Sequence, residues 1–258
     1  MSLLKNKIVF ISGASSGIGM ACAHAFAKEG ANLILAARRK EKLEQLASEL
    51  KKGFNTESKI LSFDIQNHQE TKTAFGSLPE EWKNVDVLIN SAGLAKGMQK
   101  LQEGDPEDWD VMINTNIKGL LYLTREVLPY MVKRESGHII NLGSTAGHDV
   151  YPSGNVYCAT KFAVNAISQS LRIDVLDKSI KVSSVDPGMV ETEFSLIRFS
   201  GDADRAKNVY KGVEPLTPQD VADAILYCAT RPKHVNINEI ILTPIAQAQS
   251  NFVVRKTV

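Results

Sequence analysis

Residues 7–26 read KIVFISGASSGIGMACAHAF: an apolar strand, a glycine-rich turn and the start of a helix. Gly13, Gly17 and Gly19 can adopt backbone conformations that are closed to other residues, and they let the chain approach a ligand closely. The amino terminus of the helix offers free N–H groups and a positive dipole end to a phosphate. Such a turn can also be a tight connection of small residues. Its place between the first strand and the first helix favours dinucleotide binding.

Short apolar segments alternate with longer segments of helical spacing along the rest of the chain. Continuous apolar strands are typical of a parallel sheet that is covered on both faces. The pattern predicts one α/β domain over residues 1–258, with a Rossmann-type doubly wound, seven-stranded parallel sheet and helices on both faces. Helix starts are predicted at Asp105-Pro106 and Thr217-Pro218. The seven predicted strands are KIVFIS, NLILAA, KILSFD, VDVLIN, HIINLG, KVSSVD and NEIILT.

Charge and cysteine content restrict the possible partners. Thirty basic and 29 acidic side chains give a net charge of +1, so we expect neither a nucleic acid nor a membrane as partner. The three cysteines are scattered and the histidines show no ligand spacing, which argues against a disulfide framework and a metal site. The first ten residues are too short and too charged for a signal peptide. We therefore expect a cytoplasmic protein.

The second predicted strand ends in two arginines where a dinucleotide fold often carries an acid. In such folds an acidic residue about 20 residues beyond the glycines binds the adenosine ribose 2′-hydroxyl. Here Ala37 is followed by Arg38 and Arg39. Guanidinium groups bind phosphate through paired donors, whereas a carboxylate would repel it. We therefore expect NADP(H) rather than NAD(H) as cofactor; a solvated basic helix start is the alternative.

Tyr157 and Lys161 lie four residues apart and so share one face of a predicted helix. The Lys161 cation and an oxidised nicotinamide would lower the pKa of Tyr157, which makes this tyrosine a candidate acid–base residue. Ser144, at the end of a predicted strand, could hydrogen-bond the same substrate oxygen at the sheet edge where ligands bind. The tyrosine–lysine spacing alone is typical of an ordinary helix surface. Together with Ser144 and the glycine turn it predicts an active site.

The chain resembles the short-chain dehydrogenase/reductase family over essentially its whole length. Its turn SGASSGIG is similar to the family's Thr-Gly-x-x-x-Gly-x-Gly motif, with Ser12 in place of threonine. NSAG, residues 90–93, is similar to the family's Asn-Asn-Ala-Gly motif, with Ser91 in place of asparagine. NTNIKG (114–119) and DPGMVET (186–192) are similar to further motifs in the same order. The resemblance implies hydride transfer between a nicotinamide and the carbinol carbon of a substrate.

The resemblance also implies roles for individual residues. Tyr157 would exchange the hydroxyl proton, Ser144 would hold the oxygen, and Lys161 would bind the nicotinamide ribose. Asn116 would hold a water in a proton relay with Lys161. Asp64 and Ile65 would lie against the adenine, and the segment 186–192 against the nicotinamide. The complete set of expected cofactor contacts is Gly13, Ser15, Ser16, Gly17, Ile18, Gly19, Arg38, Arg39, Asp64, Ile65, Asn90, Ala92, Gly93, Tyr157, Lys161, Pro187, Gly188, Val190 and Thr192.

Segments outside these motifs, such as EFSLIRFSGD at 193–202, resemble the NADP-dependent 3-hydroxy acid dehydrogenase branch of the family. This implies a small-molecule carboxylate substrate of the serine, L-allo-threonine or 3-hydroxypropionate type, oxidised to a 3-oxo acid. The expected substrate contacts are Ser144, Tyr157 and Arg198. Arg198 is either the carboxylate ligand or a solvated charge beside a substrate lid, and the sequence leaves both open. The alternatives are a reductase of another small carbonyl, such as sulfoacetaldehyde or a bulkier ketone, and a non-catalytic NADP-sensing protein.

Three segments bear on the lid and on assembly. We expect the substrate lid near residues 190–212, where bulky side chains could exclude water. Residues 118–133 carry an apolar stripe too broad for one buried face. By resemblance, this helix and the one that carries Tyr157 pack against their copies in a homodimer or homotetramer. The tail, residues 244–258, is predicted at a subunit interface.

Overall fold

Seven parallel strands form one sheet in the computed structural model, which describes residues 3–256. Each strand coincides with a predicted apolar segment, and the spatial order is β3-β2-β1-β4-β5-β6-β7. The predicted fold class is therefore confirmed. The first two and last two residues of the domain predicted over 1–258 lie outside the described range. The strands are β1 Ile8–Ser12, β2 Asn32–Ala37, β3 Ser58–Ser62, β4 Val87–Asn90, β5 Gly137–Leu142, β6 Ile180–Pro187 and β7 Glu239–Leu242.

Helices cover both faces of the sheet. Helices α1, α2 and α9 contribute to the apolar core on one face, and α3, α5 and α6 to the core on the other. A π-helical segment, Asn114–Gly119, joins α4 to α5. The helices are α1 Gly17–Lys28, α2 Lys40–Phe54, α3 His68–Gly76, α4 Pro106–Ile113, α5 Leu120–Arg134, α6 Asn155–Asp174, α7 Phe194–Arg198, α8 Ala203–Asn208 and α9 Pro218–Ala229.

Helices α4 and α9 begin at the capping residues that the sequence predicts. The Asp105 carboxylate accepts a hydrogen bond from the Glu107 amide at 2.9 Å, with proline at the first helical position. Thr217 and Asp220 form a reciprocal capping box at the start of α9. Free amides in the first turn need such acceptors, so these two short motifs determine both helix starts.

The strand order reverses between β1 and β4, which are neighbours in the sheet although β2 and β3 separate them in sequence. Connections from these two strands leave the sheet in opposite directions and open a crevice at the carboxyl ends of the strands. The glycine turn follows β1 and the NSAG segment includes the last residue of β4, so both border that crevice. Among the described residues, no helix is long and apolar enough to cross a membrane.

Candidate active site

The glycine turn brings β1, α1 and the loop after β4 into close contact. Gly13 has φ +69°, and a Cβ there would lie 3.0 Å from the backbone nitrogen of Ala92. A Cβ on Gly19 would collide with the carbonyl oxygen of Gly13. The Ser12 hydroxyl accepts hydrogen bonds from the amides of Ser91 and Ala92, each at 3.1 Å. The turn therefore requires small residues, and the amino terminus of α1 stays open to the crevice.

Two adjoining cavities occupy the crevice, with volumes of about 420 Å³ and 440 Å³. We call them the coenzyme cavity, which the glycine turn borders, and the substrate cavity, which lies beside Ser144. Of the predicted contacts, these line the coenzyme cavity: Gly13, Ser15, Ser16, Gly17, Ile18, Gly19, Arg38, Arg39, Asp64, Ile65, Ala92, Gly93 and Thr192. These line the substrate cavity: Ser144, Tyr157, Lys161, Pro187, Gly188, Val190 and Arg198. The cavities share wall residues that include Ile18, Gly93 and Thr192.

Asn90 is not brought to either cavity. Its side-chain amide donates to Thr124 Oγ1 at 3.0 Å and to Asn141 Oδ1 at 2.9 Å. The side chain is buried, with 4% of its surface exposed. Asn90 therefore ties β4 to α5 and β5 beneath the crevice floor, which differs from the direct contact expected from the motif.

The two arginines after β2 differ in their surroundings. Arg39 Nε and Nη2 donate to Ser15 Oγ at 3.2 and 3.1 Å, and Nη2 also donates to Ser16 Oγ at 2.7 Å. Arg38 is more exposed, and its Nη1 lies 3.9 Å from Asp64 Oδ2. The guanidinium of Arg39 is thus fixed against the glycine turn, while Arg38 borders the cavity more loosely. The sequence did not distinguish the two.

Tyr157 lines the substrate cavity and lies in the first turn of α6. Ser144 lines the same cavity, and Phe194 meets the Tyr157 ring edge-on with centroids 5.5 Å apart. Burial raises the pKa of Tyr157, and the Arg198 guanidinium and Ser144 only partly oppose this. Burial is the largest influence, and Lys161 Nζ lies 6.0 Å from the ring centroid. The sequence expectation concerns Tyr157 beside a bound, oxidised nicotinamide, and it stays a prediction.

Lys161 is buried beside Tyr157 on the next turn of α6, with 6% of its surface exposed. Its Nζ donates to the carbonyl oxygen of Leu142 at 2.8 Å, at the end of β5. Burial lowers the pKa of Lys161 from 10.5 to about 8, while the Asp186 carboxylate acts in the opposite direction. This lysine is therefore a buried cation directed toward the sheet edge.

Asn116 lies in the π-helical segment rather than on a cavity wall. Its Oδ1 accepts from the Leu94 amide at 2.9 Å, and its Nδ2 donates to Leu94 O at 2.8 Å and to Thr160 Oγ1 at 3.0 Å. These bonds tie the loop after β4 to α6. Single π-helical turns often occur at functional sites, because they shift the backbone hydrogen bonds of a helix.

Arg198 projects from the last residue of the short lid helix α7 into the substrate cavity. Its guanidinium carbon lies 4.8 Å from the Tyr157 ring centroid and 5.1 Å from that of Phe194. Nη2 donates to the Tyr151 hydroxyl at 2.7 Å. The buried Nε has no hydrogen-bond partner among residues 3–256. A guanidinium in the wall of a cavity suits an anionic ligand, because it offers several charged donors.

Tyr151 was missed from sequence. It lines the substrate cavity beside Arg198 and contacts it both through its hydroxyl and through its ring, 5.7 Å from the guanidinium carbon. Its only sequence signal is an aromatic residue six positions before Tyr157, which is too common to be read alone.

The lid and the tail both close the substrate cavity. The lid contains α7 and α8 within the predicted range 190–212. Residues 247–255 of the tail fold back over the same cavity, where Gln247 Oε1 accepts from the Met189 amide at 2.8 Å. The described part of the tail forms a wall of its own chain's cavity, and its position at a subunit interface stays a prediction. Residues 257 and 258 lie outside the described range.

His148, Asp186 and Glu239 come together, and Asp186 lies near enough to Lys161 to raise its pKa. His148 Nε2 lies 2.5 Å from Asp186 Oδ2 and 3.7 Å from Glu239 Oε1. The Asp186 side chain is fully buried and also accepts from the Ser184 hydroxyl. One ligand-type atom of each residue lies within 4.8 Å of the others, a grouping that the sequence spacing did not predict.

Comparisons with known proteins agree with this geometry. Residues 7–200 match the family model described as short chain dehydrogenase. The chain is 43% identical to an NADP-dependent 3-hydroxy acid dehydrogenase, YdfG, of Escherichia coli K12, over 96% of this chain and 99% of that protein. It is 42% identical to a serine 3-dehydrogenase of Agrobacterium fabrum, over 95% and 96%.

A solved structure of serine dehydrogenase in its closed form, complexed with NADP+, superimposes with a TM-score of 0.90. The identity is 43%, and the alignment covers 97% of this chain and 100% of that one. The fold, the open helix terminus at the glycine turn and these relationships lead to one conclusion. The chain belongs to the short-chain dehydrogenase family.

Proposed function

We propose that this protein is an NADP-dependent oxidoreductase that interconverts small 3-hydroxy acids and 3-oxo acids. The observation that carries the proposal is the position of Arg198, whose guanidinium lies in the wall of the cavity that Ser144 and Tyr157 also line. A carboxylate held by Arg198 would keep the 3-hydroxyl of a short substrate within the same cavity. The relatives that carry this activity in their names share 42–43% of the sequence over nearly the whole chain.

Residues of the coenzyme cavity suit NADP. Its pyrophosphate would lie at the glycine turn, because that turn leaves room for close backbone approach at the amino terminus of α1. Its 2′-phosphate would be bound by Arg39 with Ser15 and Ser16, and Arg38 would add charge at the cavity mouth. Asp64 and Ile65 border the part of the cavity assigned to adenine. When bound, the nicotinamide accepts or supplies the hydride.

The proton is handled by Tyr157 in this proposal. In the oxidative direction the substrate hydroxyl donates its proton to the Tyr157 oxygen while the carbinol carbon loses a hydride. Ser144 holds the same substrate oxygen, and the Arg198 guanidinium lowers the pKa of Tyr157 and so favours its anionic form. Lys161 would bind the nicotinamide ribose. Asn116 would position the active site indirectly, because its side chain donates to the Leu94 carbonyl oxygen in the loop after β4 and to Thr160 Oγ1 on α6.

The test is the initial rate of NADP reduction with L-serine, L-allo-threonine, 3-hydroxypropionate and a plain secondary alcohol, measured side by side. Turnover confined to the carboxylates supports the proposal. Turnover of the plain alcohol alone contradicts the 3-hydroxy acid assignment.

A reductase of sulfoacetaldehyde is the second candidate function. Arg198 would bind the sulfonate group of that aldehyde through the same donors, and the rate of NADPH oxidation with sulfoacetaldehyde tests this function. Retained NADP binding without turnover of any substrate would favour a cofactor sensor.

We also propose a homodimer or homotetramer in the cytoplasm. Leu121 on α5 and Phe162 on α6 each expose more than 40% of their surface, at 43% and 42%. These are the two helices that the family resemblance assigns to subunit contacts. The buried, unpaired thiols Cys22, Cys158 and Cys228 suit a reducing compartment.

A further inference from the structure

The amino-terminal end of the lid is joined to α2 by a cluster of three charges. Glu193, directly before α7, places Oε2 2.9 Å from Arg39 Nη1 and Oε1 3.1 Å from Lys42 Nζ. Burial tends to raise the pKa of Glu193, but its bonds to the two cations lower it overall. Glu193 is therefore an anion at neutral pH, held by residues more than 150 positions away in sequence.

The same guanidinium is the one assigned to the coenzyme 2′-phosphate. Arg39 directs Nε and Nη2 toward the serine hydroxyls of the glycine turn, and Nη1 toward Glu193. The hydroxyls can rotate and donate to a phosphate, because a hydroxyl is both donor and acceptor. An ionised carboxylate has acceptors only. A phosphate that binds two donors of the Arg39 guanidinium therefore lies close to a second anion, the Glu193 carboxylate, at the same guanidinium.

We propose that Glu193 is a specificity-determining residue that competes with the 2′-phosphate of NADP for Arg39, so that this phosphate releases the start of α7 from α2. The inference rests on the proposed function, because it requires the coenzyme to carry a 2′-phosphate. NAD, which lacks that phosphate, would leave the Glu193–Arg39 pair in place. The lid would thus distinguish the two coenzymes at a point remote from the reacting atoms.

The consequence reaches the substrate cavity through one short helix. Glu193 is followed by Phe194, which meets the Tyr157 ring, and α7 ends at Arg198, which faces the substrate cavity. The backbone amide of Ile197 donates to the carbonyl oxygen of Glu193 at 3.0 Å, so the first turn of α7 is hydrogen-bonded to Glu193 itself. Movement of Glu193 away from α2 would therefore be transmitted to both substrate-facing side chains.

The experiment measures binding of 2′,5′-ADP and 5′-AMP to the whole chain by calorimetry. These probes differ only in the 2′-phosphate and lack the nicotinamide, so the lid is not affected by that ring. The variant is Glu193→Gln, which keeps the shape and removes the charge. The matched control is Glu44→Gln, an exposed glutamate on α2 whose Oε1 lies 3.7 Å from Lys40 Nζ. Hydrogen–deuterium exchange of α7 is followed with each probe.

Competition predicts that Glu193→Gln binds 2′,5′-ADP roughly two- to fivefold more tightly, the range for loss of a partly exposed ion pair. The affinity of Glu193→Gln for 5′-AMP should match that of the wild type, and Glu44→Gln should bind both probes as the wild type does. In the wild type, 2′,5′-ADP should speed exchange in α7 relative to 5′-AMP, and Glu193→Gln should abolish that difference.

Unchanged or weaker binding of 2′,5′-ADP by Glu193→Gln overturns the inference, because Glu193 would then be neutral toward the phosphate or would help to position Arg39. The inference is also overturned if hydrogen–deuterium exchange in α7 is equally fast with 2′,5′-ADP and with 5′-AMP. Both results leave NADP dependence standing as long as the wild type prefers 2′,5′-ADP to 5′-AMP. A wild type that binds the two probes equally contradicts the NADP assignment itself and the inference with it.

Discussion

The guanidinium carbon of Arg198 lies 4.8 Å from the centroid of the Tyr157 ring. One residue ends the lid helix and the other lies in the first turn of α6, so closure of the lid places a cation over the proposed proton-transfer group. The same cation lowers the pKa of Tyr157 against the effect of burial and faces the substrate cavity. Recognition of the substrate anion and control of the proton are thus connected through one charge.

Replacing Arg198 with Met tests that connection. We expect kcat/KM for carboxylate substrates to fall about 30-fold or more, because a buried charge partner is lost. The acidic limb of the pH profile should move to higher pH, because a group that lowers the pKa of Tyr157 is removed. Arg205→Gln is the control: its guanidinium lies on the Phe199 ring in the same lid, 4.5 Å from the centroid. An equal loss in both variants would indicate a general effect on the lid.

Tyr157→Phe removes the hydroxyl that is proposed to exchange the substrate proton. We expect turnover to fall about 100-fold or more, the usual size of an acid–base contribution, while NADP binding is nearly unchanged. Initial rates and calorimetric titration with NADP measure the two effects separately. Tyr227→Phe, at an exposed position on α9, should retain the wild-type rate. Comparable turnover of Tyr157→Phe would refute the assignment of this residue.

Arg39→Gln and Arg38→Gln form a matched pair for coenzyme preference. We expect Arg39→Gln to lower the NADP/NAD ratio of kcat/KM by about tenfold or more, because charged hydrogen bonds to the phosphate are lost. Arg38→Gln should have a smaller effect, since Arg38 is the more exposed of the two and lies 3.9 Å from Asp64. Steady-state kinetics with both coenzymes provide the ratio. The reverse order would assign the phosphate to Arg38.

Lys161→Met should abolish activity and yet raise the free energy of unfolding at about pH 7. The folded pKa of Lys161, about 8, lies below the unfolded value of 10.5, so burial of the cation costs stability below pH 8. That cost disappears as the pH rises from 8 to 10.5, because the unfolded lysine then also loses its proton. We expect a net gain of about 1–2 kcal/mol at pH 7, since the bond to Leu142 O is lost as well.

Urea unfolding of the wild type and of Lys161→Met at about pH 7 and pH 10.5 measures this difference. As the pH rises, the free energy of unfolding of the wild type should increase relative to that of Lys161→Met. The titration of other groups affects both proteins equally and so cancels in the difference. A difference in stability that is independent of pH would mean that Lys161 is not destabilised by burial.

Assembly can be tested at the exposed apolar residues of α5 and α6. Leu121→Glu combined with Phe162→Glu should convert an oligomer into monomers, because two charges would be buried in the proposed interface. Sedimentation velocity of both proteins gives the mass. Phe54→Glu, at the exposed end of α2, should leave the mass unchanged. If the wild-type protein sediments as a monomer at working concentration, the proposed interface is contradicted.

The sequence alone determined the sheet and the places where function is concentrated. All seven strands and the helix starts at Pro106 and Pro218 were predicted, because apolar periodicity and capping act between residues a few positions apart. The glycine turn was likewise recognisable, since a short motif specifies both its backbone and its position after β1. Family resemblance added Asn116 and the segment 186–192.

Only the tertiary structure decided how the charges are used. It fixed Arg39, not Arg38, against the glycine turn, and joined it to Glu193, 154 residues away. It placed Tyr151 on Arg198 and folded the tail over its own cavity, and it buried Tyr157, which raises the pKa of that residue. These outcomes depend on distances and on solvent exclusion between segments that meet only when the chain is folded. Electrostatic interactions depend on those two quantities, and neither is encoded in local sequence spacing.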